Sequence, residues 1–240
     1  MHTRWSDGSG TIAEMADAAK ERSYSYIAIT DHSKGLKIAG GIDEPTLKKQ
    51  GVEIAKINTL SSNLGRLTVL RSIEMNLDPR GQGDMSPKSL STLDLVLGAF
   101  HSSLRRLEDQ TERYLAALRN PNIQILAHPR GRIYNYRVGL KADWPRVFAE
   151  AARLDKALEI DCYPDRQDLN VALLRIARTH RTRISLGTDA HHPWQLEFIE
   201  LGLAAALLAR IAPERIINFM PLADVKRWVK KVRDRGARER

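Results

Sequence analysis

Short apolar runs of strand length recur along the chain, and most are continuous rather than alternating with polar residues. They lie at residues 26–30, 67–73, 94–100, 123–127, 157–161 and 184–187, with a weaker run at 216–219. Strands that are apolar on both faces are typical of parallel sheets covered by helices on both sides. The pattern therefore predicts a mainly parallel sheet.

Segments with helical spacing separate these runs, at residues 12–21, 46–64, 110–119, 145–154 and 171–178. Asp143 is expected to cap the helix that carries Pro145 in its first turn. Repeated β/α units of this length fit either a closed barrel or an open doubly wound sheet, and no glycine-rich phosphate loop favours a nucleotide-binding fold. Without a repeat or a linker, residues 1–240 are predicted to form one domain.

Polar residues follow the apolar runs, at the ends where the strands of a parallel barrel build an active site. One histidine in such a place can simply bind a loop carbonyl, but five strand ends with His, Glu or Asp favour a shared site. The residues concerned are His32, Glu74, His101, His128, Asp189 and His191. We interpret His180 and His192 as structural.

Mixed imidazole and carboxylate ligands suit zinc, manganese or iron better than magnesium or calcium. The single cysteine, Cys162, excludes a multi-cysteine zinc site and is expected to be a packed thiol. With His2 and Asp7 the candidate ligands number eight, enough for two or three divalent ions. Clustered cations favour hydrolysis of phosphate esters.

The net charge of +9 suggests an anionic partner, although much of it lies in the last residues of the chain. From residue 224 onward there are eight Lys and Arg but only three Asp and Glu. This excess of positive charge fits either a solvated helix or a binding surface for phosphate or nucleic acid. No apolar run approaches the roughly 20 residues that span a bilayer. We expect a soluble, cytoplasmic protein without a membrane partner.

Seven strings resemble, in order, the successive motifs of the polymerase and histidinol phosphatase (PHP) superfamily. They are MHTRWSDG, ITDHS, SIEMN, AFHSSL, LAHPRGR, LEIDCYPDRQDL and GTDAHHPWQL. Within that superfamily the chain is similar to the C-terminal domain of bacterial family X DNA polymerases over nearly its full length. The resemblance implies an α/β fold, a distorted TIM-like (β/α)7 barrel with up to three zinc or manganese ions, that hydrolyses phosphomonoesters or phosphodiesters.

The resemblance also assigns the ligands. His2, Glu74 and Asp189 would hold the first ion. Glu74, His101 and His128 would hold the second, and Asp7, His32 and His191 the third. Glu74 would bridge the first two ions, and the nucleophile would be a bridging hydroxide. Among these residues we assign catalysis to Glu74, Asp189 and His191.

The chain departs from the superfamily pattern in two places. The superfamily opens with a strand that ends in His-x-His, whereas here only the second His is present, as His2, and Met1 precedes it. We expect either that the true start lies upstream, through an Asp-Leu-His-like strand, or that the first strand and one ligand are missing. The second departure is Asp161-Cys162 after LEI, where the polymerase domains usually carry asparagine-containing sequence.

Arginines border the predicted site. Arg130 and Arg132 follow His128, and together with Arg166 they are predicted to bind substrate phosphate, the alternative being that they face solvent. The stretch 131–142, which includes Tyr134 and Tyr136, is predicted to be a functional loop.

Three functions remain open from the sequence. The first is a phosphoesterase that acts on a small phosphorylated metabolite or nucleotide. The second is a 3′-5′ exonuclease that acts on DNA ends with help from the basic tail, and it gains weight if the chain is a piece of a polymerase. The third is a catalytically weakened domain with a structural or regulatory role.

Overall fold

The computed structural model describes residues 1–62 and 67–238, and within them strands and helices alternate. The strands are β1 (Tyr26–Ile29), β2 (Thr68–Arg71), β3 (Glu74–Leu77), β4 (Leu97–Phe100), β5 (Ile125–Leu126), β6 (Ala157–Asp161) and β7 (Arg183–Gly187). The α-helices are α1 (Ile12–Glu21), α2 (Glu44–Ser62), α3 (Pro87–Leu90), α4 (Thr111–Arg119), α5 (Trp144–Arg153), α6 (Val171–Thr179), α7 (Ile199–Leu208) and α8 (Leu222–Arg238).

All strand pairs are parallel, as predicted. β1 pairs with β2, and β3 to β7 form a five-stranded sheet in chain order. A bridge between His32 and Glu74 joins the two sheets. On the far side, Thr30 N donates to Met1 O at 2.9 Å and His2 N donates to Ala190 O at 2.7 Å. The first residues of the chain thus connect the end of β1 to the segment after β7, and the sheet curves into a barrel.

The predicted strand at 67–73 is in fact two strands that change partner at a bend. β2 pairs with β1 and ends at Arg71, whose carbonyl accepts from Asp94 N at 2.8 Å, and β3 then pairs with β4. Glu74 therefore begins β3 instead of following a strand, which corrects its predicted position. The predicted strands at 94–100 and 123–127 are also shorter than expected.

The weak strand predicted at 216–219 is wrong, because Ile217–Phe219 forms a single turn of 3₁₀ helix. Asn218, the middle residue of this turn, nevertheless binds the edge of β7. The side-chain oxygen accepts from Leu186 N at 2.8 Å, and the side-chain nitrogen donates to Leu186 O at 3.0 Å. One amide side chain thus satisfies backbone groups that a neighbouring strand would otherwise pair.

Five predicted helices are confirmed to within a few residues as α1, α2, α4, α5 and α6. Residues 63 and 64 of the predicted 46–64 helix lie outside the described part of the chain. Asp143 caps α5 as expected, since its side chain accepts from Arg146 N at 3.2 Å. The sequence pattern did not predict α3 or α7.

Two apolar cores pack against different parts of the barrel. Helices α4 to α7 pack on the outside of β3 to β7 and form the largest apolar core. At the amino ends of the strands the last helix, α8, buries Trp228 and Val229 against residues of β4 and β5. Trp228 Nε1 donates to Asp155 O, just before β6, so α8 closes this end. No helix in the described ranges is long and apolar enough to cross a membrane.

Candidate metal centre

Glu74 lies buried at the centre of the eight candidate ligands, near the carboxyl ends of the strands. Its Oε1 atom is 2.9 Å from Nε2 of His101, 3.0 Å from Nε2 of His128 and 3.4 Å from Nδ1 of His32. Its Oε2 atom is 3.7 Å from Nε2 of His2. Four imidazoles thus surround one carboxylate, the position that a bridging ligand requires.

His2, Glu74 and Asp189 form a compact group whose candidate ligand atoms lie within 4.8 Å of one another. His2 is fully buried, and its Nε2 atom lies 3.1 Å from Asp189 Oδ1 without the alignment of a hydrogen bond. Its Nδ1 atom also has no hydrogen-bond partner. Because buried polar atoms are almost always paired, an imidazole with two unpaired nitrogens fits a site that a cation completes.

Asp7 gathers a second group around the same histidines. Its Oδ1 atom is 3.4 Å from Nε2 of His191, 3.6 Å from Nε2 of His32 and 3.9 Å from Nδ1 of His2. The residues expected around the third ion are therefore together, with His2 beside them. His2 and His32 stack with ring centres 4.2 Å apart, an arrangement that two protonated rings would oppose.

The third compact group differs in composition from the set expected for the second ion. It contains His32, Glu74 and His101, whereas the prediction placed His128 with Glu74 and His101. His128 is nevertheless beside the group, because its Nε2 atom lies 3.0 Å from the same Glu74 oxygen. Either His32 or His128 could therefore complete the second ligand set around Glu74. The sequence pattern did not indicate this alternative.

Backbone conformation helps to place these side chains. His128 and Asp189 have positive φ angles of 25° and 48°, a conformation that is uncommon for residues with a side chain. Gly8 allows the loop that carries Asp7 to lie against the start of the chain. A Cβ atom at Gly8 would be 2.4 Å from the carbonyl carbon and oxygen of His2.

The pKa values reflect a buried, mixed cluster. Burial acts to raise the pKa of Glu74, but His128 and His32 outweigh it and hold that pKa well below its usual value. Burial lowers the pKa of His32 to about 3, with a further contribution from His2. Burial and the neighbouring His2 make His32 a neutral imidazole, the form that binds metals.

Two histidines are oriented through the ring nitrogen that does not face the cluster. His101 Nδ1 lies 3.0 Å from Asn76 Oδ1, and His191 Nδ1 lies 2.7 Å from the carbonyl of Asp189. When Nδ1–H donates to these oxygens, the lone pair of Nε2 is left for a cation. Asn76 was not predicted, although it stands in the SIEMN string.

Two further buried carboxylates, also missed, support the site from outside it. Asp31 is fully buried and accepts hydrogen bonds from Thr3 N, Thr3 Oγ1 and Gln50 Nε2, each at 2.7 Å, which ties down the loop after His2. Glu159 accepts from His128 N at 2.8 Å, and burial raises its pKa to about 7. Both stand in the quoted motifs, Asp31 in ITDHS and Glu159 in LEIDCYPDRQDL, and this was the signal for them in the sequence.

The three predicted phosphate-binding arginines border the cluster. Arg166 Nη2 is 3.8 Å from Asp189 Oδ2, and Arg132 Nη1 donates to the backbone carbonyl of Arg166. Arg130 donates through Nη2 to Val138 O at 3.0 Å, and it lies close enough to the buried Asp168 to act on that carboxyl's pKa. The guanidinium groups of Arg130 and Arg132 are thus each fixed by a backbone carbonyl.

The remaining residues singled out in the sequence lie around the cluster or away from it. His180 is the C-terminal cap of α6, and His192 caps the 3₁₀ turn that begins at Pro193. Cys162 is a buried free thiol within the main apolar core, and burial raises its pKa. Asp161 is fully buried, and burial together with Asp189 raises its pKa well above the usual value.

No protein-family model matches the chain. The chain is 34% identical over 232 residues to the DNA polymerase/3′-5′ exonuclease PolX of Bacillus subtilis, covering 96% of this chain but 40% of that protein. It is 26% identical to a probable phosphatase of Syntrophotalea carbinolica, covering 87% of this chain and 85% of the relative. The chain therefore spans about two fifths of the length of the polymerase.

Among solved structures, the chain resembles the histidinol phosphate phosphatase of Lactococcus lactis with a TM-score of 0.59 at 16% identity. The match covers 87% of this chain and 91% of that one, and it confirms the predicted barrel fold. That protein was solved in complex with zinc, L-histidinol and phosphate. The relatives and the fold thus support the predicted resemblance to the PHP superfamily, with similarity to its family X DNA polymerases.

Proposed function

We propose that the chain hydrolyses phosphate esters at the cluster centred on Glu74, with two or three divalent metal ions. The observation that carries the proposal is the burial of His2 with both ring nitrogens unpaired beside the carboxylates of Asp7, Glu74 and Asp189. Bound ions would neutralise phosphoryl oxygens and lower the pKa of a water molecule.

The ions would be held by overlapping sets. His2, Glu74 and Asp189 would hold the first, and Glu74 and His101 the second, with His32 or His128. Asp7, His191 and His32 would hold the third. Zinc fits these nitrogen and oxygen donors and is the metal of the Lactococcus lactis phosphatase, and manganese and iron are the alternatives.

For the substrate we propose a small phosphorylated metabolite or a nucleotide, bound through phosphate by Arg130, Arg132 and Arg166. The guanidinium of Arg166 approaches Asp189 at 3.8 Å, so an ester phosphate at the ions would also be within its reach. The probable phosphatase of Syntrophotalea carbinolica, of which the match covers 85%, supports this choice.

The second candidate, exonuclease action on DNA ends, is supported by the 34% identity to the polymerase/exonuclease of Bacillus subtilis. The basic tail does not strengthen it. Helix α8 packs across the amino ends of the strands, at the end of the barrel away from the cluster. The third candidate, a weakened domain, predicts fewer bound ions than these sets would hold.

A pair of variants on one loop tests the proposal. His128→Ala should lose metal and activity together, because its ring lies 3.0 Å from Glu74. Arg130→Ala should keep its metal and raise KM for a phosphorylated substrate more than it lowers kcat. Metal content is measured by elemental analysis, and activity on p-nitrophenyl phosphate and on single-stranded DNA with added manganese or zinc. A wild-type protein that binds no metal ion when zinc or manganese is added, and that hydrolyses neither substrate, would contradict the proposal.

A further inference from the structure

Beside the candidate metal centre lies a surface that is rich in arginine and tyrosine. Its members come from the segment after β4 and from the long loop after β5, and we call it the arginine–tyrosine rim. They are Arg105, Arg130, Arg132, Tyr134, Tyr136 and Arg137. None of these side chains is among the eight candidate metal ligands.

The two tyrosines are exposed and stack with cations. Tyr134 and Tyr136 are 63% and 62% exposed. The guanidinium carbon of Arg105 lies 4.4 Å from the ring centre of Tyr136, and that of Arg137 lies 5.9 Å from it. Arg132 lies 5.9 Å from the ring centre of Tyr134. An aromatic ring that is fixed by a guanidinium group and still open to solvent can stack a further planar group.

The arginines of the rim are held by backbone carbonyls and not by carboxylates. Arg105 donates to Tyr136 O at 3.2 Å, Arg130 to Val138 O at 3.0 Å and Arg137 to Gly131 O at 2.7 Å. Within residues 1–62 and 67–238, no ion pair involves any of the four rim arginines. Their positive charge is therefore oriented but not neutralised by the protein, as an anion-binding surface requires.

The rim is continuous with the candidate metal centre. Arg132 donates to the carbonyl of Arg166, whose guanidinium group reaches to 3.8 Å from Asp189. Tyr134 N donates to Asp165 O at 2.7 Å, which fixes the loop beside the same segment. A substrate whose phosphate lies at the metal centre would extend over the rim.

We infer that the arginine–tyrosine rim is a subsite for an unpaired nucleobase attached to the scissile phosphate, with Tyr134 and Tyr136 as specificity-determining residues. The inference rests on the proposed function and narrows its substrate class. Planar bases of any sequence would stack on the tyrosines, and flanking phosphates would lie against the arginines. The base belongs either to a free nucleotide or to the end of a single strand, because a paired base has no open face.

The test compares phosphate esters that carry a base with an ester that does not. The metal-loaded protein is assayed on thymidine 5′-monophosphate, on glycerol 2-phosphate and on a short single-stranded thymidine oligonucleotide. In the double variant Tyr134→Ala and Tyr136→Ala, KM for the nucleotide or the oligonucleotide should rise by about tenfold or more, as loss of base stacking predicts. KM for glycerol 2-phosphate, kcat and metal content should stay the same.

Two control variants separate stacking from other effects. Tyr134→Phe with Tyr136→Phe retains both rings and should behave as wild type. Phe219→Ala removes a 53% exposed aromatic near the amino ends of the strands and should also change nothing. A rise for the oligonucleotide alone identifies a strand end as the ligand, and a rise for the monophosphate alone identifies a free nucleotide.

Equal kinetics of the alanine variant and wild type on both base-containing esters would overturn the inference, as would an equal loss on glycerol 2-phosphate. If the wild type hydrolyses none of the esters, the proposed function is wrong, but base binding at the rim is still testable. The rim is then decided by the Kd of a phosphorothioate-linked thymidine oligonucleotide, which should rise about tenfold in the alanine variant and not in the phenylalanine variant. An unchanged Kd would remove the subsite.

Discussion

The two ends of the barrel differ in whether their charged and polar side chains have partners within the protein. At the amino ends of the strands, Asp155 accepts from Arg183 Nε at 2.6 Å and from Lys231 Nζ at 3.1 Å. At the carboxyl ends, His2 is buried without a hydrogen-bond partner for either nitrogen, and within the described ranges the rim arginines form no ion pair. The buried charge of Asp155 is thus paired within the protein, whereas the buried imidazole of His2 is not.

This difference indicates what each end contributes. A buried polar atom without a partner costs about 1–3 kcal/mol, so such atoms persist where a ligand satisfies them. The amino end, with α8 packed across it and Asp155 paired, contributes stability. The carboxyl end would give up stability in the free protein and would regain it when the proposed cations and substrate bind.

The largest effect should come from Glu74→Gln, which keeps the shape of the side chain and removes its charge. Four imidazoles surround Glu74, so the variant should lose bound metal, and kcat/KM should fall at least about 1,000-fold. Residues one step removed from a metal already contribute about 10–100-fold. Elemental analysis and a phosphatase assay measure both quantities, and the exposed Glu197→Gln is the matched control. Full metal content in Glu74→Gln would contradict its central position.

Trp228→Ala should have the converse effect at the other end of the barrel. Trp228 is 3% exposed and packs between α8 and the interior of β4 and β5, so its truncation should lower the free energy of unfolding by about 3–5 kcal/mol. Urea unfolding measures this loss. At temperatures where the variant is folded, metal content and kcat should equal those of wild type.

Lys230→Ala is the control on the same helix. Its side chain is exposed, so the free energy of unfolding should change by less than about 0.5 kcal/mol. If Trp228→Ala loses metal while still folded, the two ends of the barrel are coupled. Stability and metal binding would then not be divided between them.

Much of the fold and of the candidate site was predictable because both depend on local patterns. Continuous apolar runs indicated parallel strands, and polar residues just beyond them indicated a common edge. The bend at Arg71 was not predictable, because it arises where one strand exchanges β1 for β4 as its partner. Likewise, α8 appears in the sequence as a charged tail, and only its packing shows which face is buried.

Within the site, the sequence indicated which residues meet but not how their atoms are shared. The proximity of His32 to Glu74 and the contact between Asn76 and His101 depend on side-chain orientation across neighbouring strands. The departure at Asp161 could be read from the sequence, but its burial beside Asp189 could not. Such details depend on contacts between residues that are far apart in the sequence, which local sequence patterns do not reveal.

The smallest effect should come from Asp155→Asn, which tests whether the paired charges at the amino end stabilise the fold. Burial acts to raise the pKa of Asp155, but Arg183 and Lys231 outweigh it, so the pKa lies below its usual value of 3.8. The charged carboxylate therefore stabilises the folded state at neutral pH, and this contribution disappears as the pH falls below about 4. Because the pair is partly exposed and screened, we expect a difference of about 1 kcal/mol at pH 7.

Urea unfolding of wild type and Asp155→Asn at pH 7 and pH 3 measures this difference and its decline. Metal content should be equal in the two proteins, because Asp155 lies just before β6, at the amino ends of the strands and away from the candidate ligands. A difference that is unchanged at pH 3 would show that the effect of Asp155 does not come from its charge. The amino end would then owe its stability to the packing of α8 alone, and the contrast between paired and unpaired charges would no longer separate the two ends.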